Sequence, residues 1–120
     1  NGKAVIQTIT IDDKLFNTYK NSTDAIRTFI FPGGMLPSPS IFMRYAKNNS
    51  FKVLDSFSFG ESYSKTLDLW NNSFKKNIDE IQKLNFDEKF IKIWEYYLTS
   101  CSSSFINERT NVYQFTLQKN

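Results

Sequence analysis

Histidine is missing from the 120 residues, and cysteine occurs once, at Cys101. Those two shortages remove Ser-His-Asp and Cys-His catalysis from anything this chain does alone, together with the common zinc ligand sets. A lone thiol also excludes an internal disulfide and suits a reducing compartment. Glycine is scarce. Gly2, Gly33, Gly34 and Gly60 never fall into the G-x-G-x-x-G spacing that cradles a phosphate, so no nucleotide loop is visible. No apolar run approaches the ~20 residues that a membrane-crossing helix needs. The opening residues show no basic-then-apolar secretion pattern, so a cytoplasmic location is expected. Positive charge is in modest excess, 15 Lys and Arg against 12 Asp and Glu, with the lysines interleaved among acids. That is no nucleic-acid footprint, although it is compatible with visits to an anionic membrane surface.

Aromatic residues are plentiful by contrast. They make up 17% of the chain, twelve of them phenylalanine, enough ring surface for a sizeable core or an acyl-chain pocket. The most informative segment is Phe29 to Ser38, FIFPGGMLPS. Pro32 and Pro37 cannot continue a helix, and Gly33 and Gly34 permit backbone angles other residues avoid. An apolar stretch forced into irregular backbone either crosses a core or lines a ligand wall.

Periodicity supplies the elements. Lys3 to Ile11, KAVIQTITI, is β-branched and apolar, the pattern of a strand covered on both faces. Asp12 to Ser22 reads as a polar loop, and Thr23 to Thr28 as a short helix capped by Ser22 or Thr23. Ser38 to Asn48 reads as a helix with Pro39 in its first turn. Phe51 to Phe59 is a strand with Phe51, Val53, Phe57 and Phe59 in phase. From Glu61 to Leu84 a stripe of Tyr63, Leu67, Trp70, Phe74, Ile78 and Ile81 predicts one long helix. Asp87 caps another to about Phe105, and Thr110 to Gln118 closes as an alternating strand. Three strands with covering helices make a partial α/β sheet, which together with the abrupt start at Asn1 points to a piece of a larger domain.

Few polar residues stand out beside these apolar walls. Gln7 and Thr8 interrupt a greasy strand near its carboxyl end, where open α/β sheets hold ligands, or else Gln7 simply bonds a neighbouring loop. Tyr63 is either a core tyrosine or a site hydroxyl. Asp24 and Arg27 precede the apolar loop, and a solvated face explains them equally well. Trp70, Trp94 and Tyr97 are most simply core, and Cys101 reads as a small buried hydrophobe.

Together these blocks resemble the C-terminal part of the cyclopropane-fatty-acyl-phospholipid synthase and mycolic acid cyclopropane synthase family. The matching stretches are QTITI at Gln7 to Ile11, DAIRTFIFPGGMLPS at Asp24 to Ser38, and FKVLDSFSFGESYSKTLDLW at Phe51 to Trp70. FDEKFIKIWEYYLTSCSSSF at Phe86 to Phe105 and VYQFTL at Val112 to Leu117 continue them. The resemblance implies the C-terminal portion of a Rossmann-like class I methyltransferase fold, with the last strand antiparallel between the other two. Residues 1–120 would then be part of a single methyltransferase domain whose N-terminal, cofactor-binding half is absent, and this piece would be inactive alone.

The implied activity is S-adenosyl-L-methionine-dependent methylene transfer to the cis double bond of an unsaturated phospholipid acyl chain, forming a cyclopropane. In such a reaction the alkene takes the sulfonium methyl, and the resulting carbocation loses a proton from that methyl as the ring closes. The resemblance assigns the base to a bound bicarbonate ion, held in this chain by Gln7, the Ile9 backbone amide and Tyr63. Gln7 stands where the best-known members carry histidine. It can donate a hydrogen bond to an anion but cannot become charged, so a methyl-branched product is the alternative. Phe29, Phe31 and Met35 become acyl-wall candidates. Work at the inner membrane surface and a homodimer are further expectations of the resemblance, and a non-catalytic lipid- or protein-binding module is the rival reading.

Overall fold

The computed structural model describes residues 2–120. Strands β1 (Lys3–Ile11) and β2 (Phe51–Ser58) lie on either side of β3 (Thr110–Lys119), which runs antiparallel to both. β1 and β2 are therefore parallel to one another but not adjacent. Among the described residues five α-helices and a π-helical turn (Ile26–Ile30) join the strands: α1 (Phe16–Lys20), α2 (Pro39–Asn48), α3 (Gly60–Lys76), α4 (Ile78–Lys83) and α5 (Glu88–Ile106). This is the antiparallel-last arrangement that the resemblance implied.

The alternation of β3 sorts the core into two layers. Phe115 and Leu117 point to the face covered by α2, where they meet Ala46, Phe42, Phe51 and Val53. Phe115 is wholly buried and its ring stacks on Phe42 at 4.2 Å. Val112 points to the opposite face and joins Leu67 of α3 with Leu98 and Phe105 of α5. Between those two helices a buried polar clasp replaces apolar packing. Ser64 and Ser102 share a hydrogen bond of 2.8 Å, and Ser102 Oγ donates to Asp68 Oδ1 at 2.6 Å.

Several local expectations need correction. β1 is not covered on both faces: Lys3 to Gln7 are exposed, and only Thr10 and Ile11 are buried. The cause is its place at the sheet edge, with only its carboxyl end lying beneath loop and helix. Asp12 to Ser22 is not all loop, because α1 forms there around buried Phe16. The helix expected at Thr23 to Thr28 is displaced to a π-helical turn, Ile26–Ile30, closed by the Phe31 amide on the Ile26 carbonyl at 2.9 Å. Asp24, not Ser22 or Thr23, opens that turn by accepting from the Arg27 amide at 2.9 Å.

The long helix from Glu61 breaks at Asn77, whose side chain bonds back to the Ser73 carbonyl (2.8 Å), so α4 is separate. In β2 a bulge between Val53 and Asp55 shifts the phase. Phe51 and Val53 face α2, whereas Phe57 pairs with Gln114 and shares the other face with Phe59. The expected Asp87 cap of α5 is present, and Ser38, which sequence reasoning did not single out as a cap, plays the same part for α2. Ser38 Oγ accepts from the Ile41 amide and Asp87 Oδ1 from the Phe90 amide. Among the described residues no helix is long and apolar enough to cross a membrane.

Candidate functional site

The carboxyl end of β1, the apolar loop and one side of α5 enclose a cleft of about 710 Å³. Ile9 and Ile11 form its floor, and Phe31, Met35 and Leu36 one wall. Tyr97, Cys101 and Phe105 form the other. Phe31 meets Tyr97 edge to face across it, with ring centroids 5.7 Å apart. Gly33 takes φ +78° between the two proline turns, a conformation only glycine adopts easily, and this lets the loop double back.

The loop is held from behind. Tyr19 of α1 accepts the Leu36 amide on its hydroxyl at 2.8 Å, and the Pro37 carbonyl accepts the Ile11 amide at 2.9 Å. Arg27 stacks over the Tyr19 ring at 3.9 Å, donates to the Tyr19 carbonyl from Nη1 (2.8 Å) and bonds Asp24 from Nε (3.0 Å). Sequence reasoning treated Asp24 and Arg27 as an undistinguished pair and passed over Tyr19. Aromatic, cation and acid spaced Tyr19–Asp24–Arg27 were the available signal, but nothing in periodicity brings α1 under the loop.

The candidates from sequence separate into two groups. Ile9, Phe31 and Met35 line the cleft together. Phe29 does not, because it leaves the π-helical turn on another side and borders a second groove with Ile93, Tyr96, Lys89 and Lys92. Gln7 is exposed on β1, two residues from Ile9, and its Oε1 accepts from Gln114 Nε2 at 2.9 Å. Its own amide N–H groups make no hydrogen bond among the described residues. Tyr63 is half-buried against Phe105 and Trp70, with centroids at 5.5 and 5.9 Å, and lies outside the cleft lining. Gln7 and Tyr63 nonetheless belong to one side of the sheet: Gln114 and Val112, their respective neighbours on β3, point to the same face.

Backbone geometry around Ile9 is informative. Val112, opposite it, directs its carbonyl to the Phe59 amide (3.0 Å) and its N–H to Asn111 Oδ1 (2.8 Å), both away from β1. The Ile11 amide points to the loop, and alternation aims the Ile9 amide to that same open edge. Ile9 thus offers a donor that no strand among the described residues satisfies. Titration in the cleft is unfavourable to charge. Burial, reinforced by Asp24, pushes the Cys101 thiol up to about 11, and burial raises the Tyr97 phenol, helped by nearby Cys101 and Tyr63. Cys101 is accordingly a small apolar wall residue and no nucleophile.

Residues for a nucleotide cofactor do not fit here. The single glycine that opens a helix straight after a strand, Gly60, already gives its amide to Asn111 Oδ1 at 2.8 Å. A Cβ there would lie 2.6 Å from the same oxygen, so Gly60 offers no vacant cradle.

The strand order, the antiparallel third strand and the cleft at the strand ends define the C-terminal portion of a Rossmann-like class I methyltransferase fold. A family model described as mycolic acid cyclopropane synthetase matches residues 1–115, and the chain belongs to that family. Tuberculostearic acid methyltransferase UfaA1 of Mycobacterium tuberculosis is 32% identical over 117 residues, covering 97% of this chain and 27% of that protein. Cyclopropane mycolic acid synthase 2 of Mycobacterium bovis is 35% identical, covering 98% and 42%. The structure of mycolic acid cyclopropane synthase CmaA1 complexed with SAH and CTAB superposes with a TM-score of 0.86 at 32% identity, covering 98% of this chain and 44% of that one. The chain therefore spans less than half the length of these relatives.

Proposed function

We propose that the protein carrying this chain is an S-adenosyl-L-methionine-dependent transferase that adds a methylene group to the cis double bond of an unsaturated phospholipid acyl chain, yielding a cyclopropane fatty acid. The observation that carries this reading is the apolar, aromatic-walled cleft at the strand ends. Its volume and lining suit an alkyl chain, and a cation developing on that chain needs surroundings from which water is excluded. The family match and the SAH named with a related structure support the cofactor. Since Gly60 leaves no cradle, the cofactor is assigned to residues outside this chain, and the chain alone is expected to be inactive.

The residues available to hold a bicarbonate ion are the Ile9 amide, the Gln7 side-chain amide and the Tyr63 hydroxyl. The first two have donors without protein partners among the described residues. Such an anion would supply the base that removes a proton. Work at the inner face of a membrane follows from a phospholipid substrate.

A second product is favoured by one specific feature. Where the resemblance places an ionisable histidine, Gln7 offers only a neutral amide, and a relative matched over 97% of this chain is named a tuberculostearic acid methyltransferase. Loss of the proton from the transferred methyl would then compete less well with loss of a proton from a neighbouring chain carbon to the same base, giving a methyl-branched olefin in place of the ring. Expression of the whole gene in a host rich in unsaturated phospholipid, followed by proton NMR and mass spectrometry of extracted lipids, tests both readings. Upfield ring protons with a gain of one methylene unit support the first. A branched methyl supports the second, and unaltered lipids would reject both.

A further inference from the structure

The cleft is apolar along most of its length but not at the end near α1. Its charged lining residues are Asp24, Arg27 and Arg109, two guanidiniums against one carboxylate. The Arg27 side chain is only 13% exposed, yet it is incompletely satisfied. Of its five N–H donors, Nε bonds Asp24 and one on Nη1 bonds the Tyr19 carbonyl. Nη2 has no protein partner among the described residues and is not sealed from solvent. Stacking on Tyr19 and the bond to Asp24 fix the guanidinium plane, so its remaining donors are held in place in advance. Arg109 enters from the turn after α5. Its carbonyl accepts the Asp12 amide and its own amide reaches the Ser104 carbonyl, while its side chain forms no ion pair among the described residues.

A partly exposed arginine with spare donors and an exposed one without an ion pair among the described residues, both lining one greasy cleft, have the form of a receptor for an amphiphile with a negative head. We infer that Arg27 and Arg109 form an anion subsite that takes the phosphate of an acyl ligand whose chain lies between Ile9, Met35 and Phe31. The inference rests on the acyl-cleft reading above and adds the recognition of the head group. Asp24 orients Arg27.

Calorimetric titration of the whole protein carrying this chain, below micelle concentration, tests this, with dodecyl phosphate, the uncharged dodecyl octaglycol ether, and inorganic phosphate as probes. The phosphate amphiphile should bind at least about tenfold tighter than the ether, the scale of a charge-assisted bidentate contact. Arg27→Gln should bring the two affinities together. Arg109→Gln, at an exposed position that threatens no core, should reduce the ratio severalfold, whereas Lys92→Gln on the second groove should leave it intact. Equal affinities for both amphiphiles in the native chain, or a ratio unmoved in both arginine variants, would overturn the subsite while sparing the acyl cleft. Binding of inorganic phosphate as tight as that of dodecyl phosphate would also overturn it, since the chain would then play no part. Failure of both amphiphiles to bind would remove the cleft reading as well.

Discussion

Replacing Gly60 with alanine offers a test in which packing and propensity predict opposite signs. Gly60 opens α3, where alanine is ordinarily better than glycine by about 0.5–1 kcal/mol. Here the new Cβ would stand 2.6 Å from Asn111 Oδ1 and 3.2 Å from the Asn111 Cα. The side chain can rotate away, but the Cα belongs to β3 and cannot. Rotation also surrenders the two bonds that Asn111 Oδ1 accepts, from Gly60 and Val112, each worth ~1 kcal/mol. With residual overpacking of about 1–3 kcal/mol, less the helix gain, Gly60→Ala should destabilise by roughly 2–4 kcal/mol. In urea this lowers the unfolding midpoint by roughly 1–2 M with an unchanged slope. An Asn111→Ala background removes the 2.6 Å clash and the two bonds beforehand, so the same glycine change should cost about half as much there. A neutral or stabilising Gly60→Ala in the native background would refute the argument. So would identical costs in both backgrounds. Because α3 carries Tyr63 one turn further on, the same contact sets where that phenol stands.

Tyr19→Phe deletes the acceptor of the Leu36 amide while keeping the ring beneath Arg27. Hydrogen exchange at Leu36 should accelerate about tenfold or more, with exchange in β3 unchanged. Cys101, pushed up to about 11 from an ordinary 9.0, should react with a thiol-disulfide probe about a hundredfold more slowly at pH 8 in the folded chain than in urea; parity would contradict its burial. Burial would raise the Asp13 carboxyl, but hydrogen bonds from Ser38 and Ser40 outweigh it and hold it below the ordinary 3.8. Its stabilising contribution is therefore full above that value and lost as pH falls through the lower folded one. Asp13→Asn should flatten that acid limb of the stability profile and leave the neutral limb unchanged in slope.

Helical and strand periodicity carried every major element, because Leu67, Leu98, Val112, Phe115 and Leu117 repeat at the spacings their elements require. What periodicity could not carry was any break in it. The bulge in β2 divides Phe51 and Val53 from Phe57 and Phe59, although all four alternate evenly in the chain. Asn77 ends α3 inside a continuous apolar stripe because its side chain competes for a backbone carbonyl. The exposure of β1 depends on what lies beside it, which no property of KAVIQTITI records.

At the site, the apolar loop was legible from its proline and glycine punctuation, and Phe31 and Met35 line the cleft. Phe29, two residues before Phe31, was separated from them by a π-helical turn with no sequence signature of its own. Tyr19 and Arg27 were obscured for another reason. Their significance is a stack and one carbonyl hydrogen bond between residues eight apart, created only when α1 folds under the loop.

The chain holds two methionines, Met35 at the cleft and Met43 on α2, so methyl-labelled methionine gives a two-resonance spectrum that reads the cleft directly. Titration with dodecyl octaglycol ether below its micelle concentration should shift the Met35 methyl in a saturating manner and leave Met43 in place. If both methyls move alike, or Met35 stays fixed while the probe saturates, the alkyl chain does not lie between Ile9, Phe31 and Met35 and the acyl-cleft reading fails.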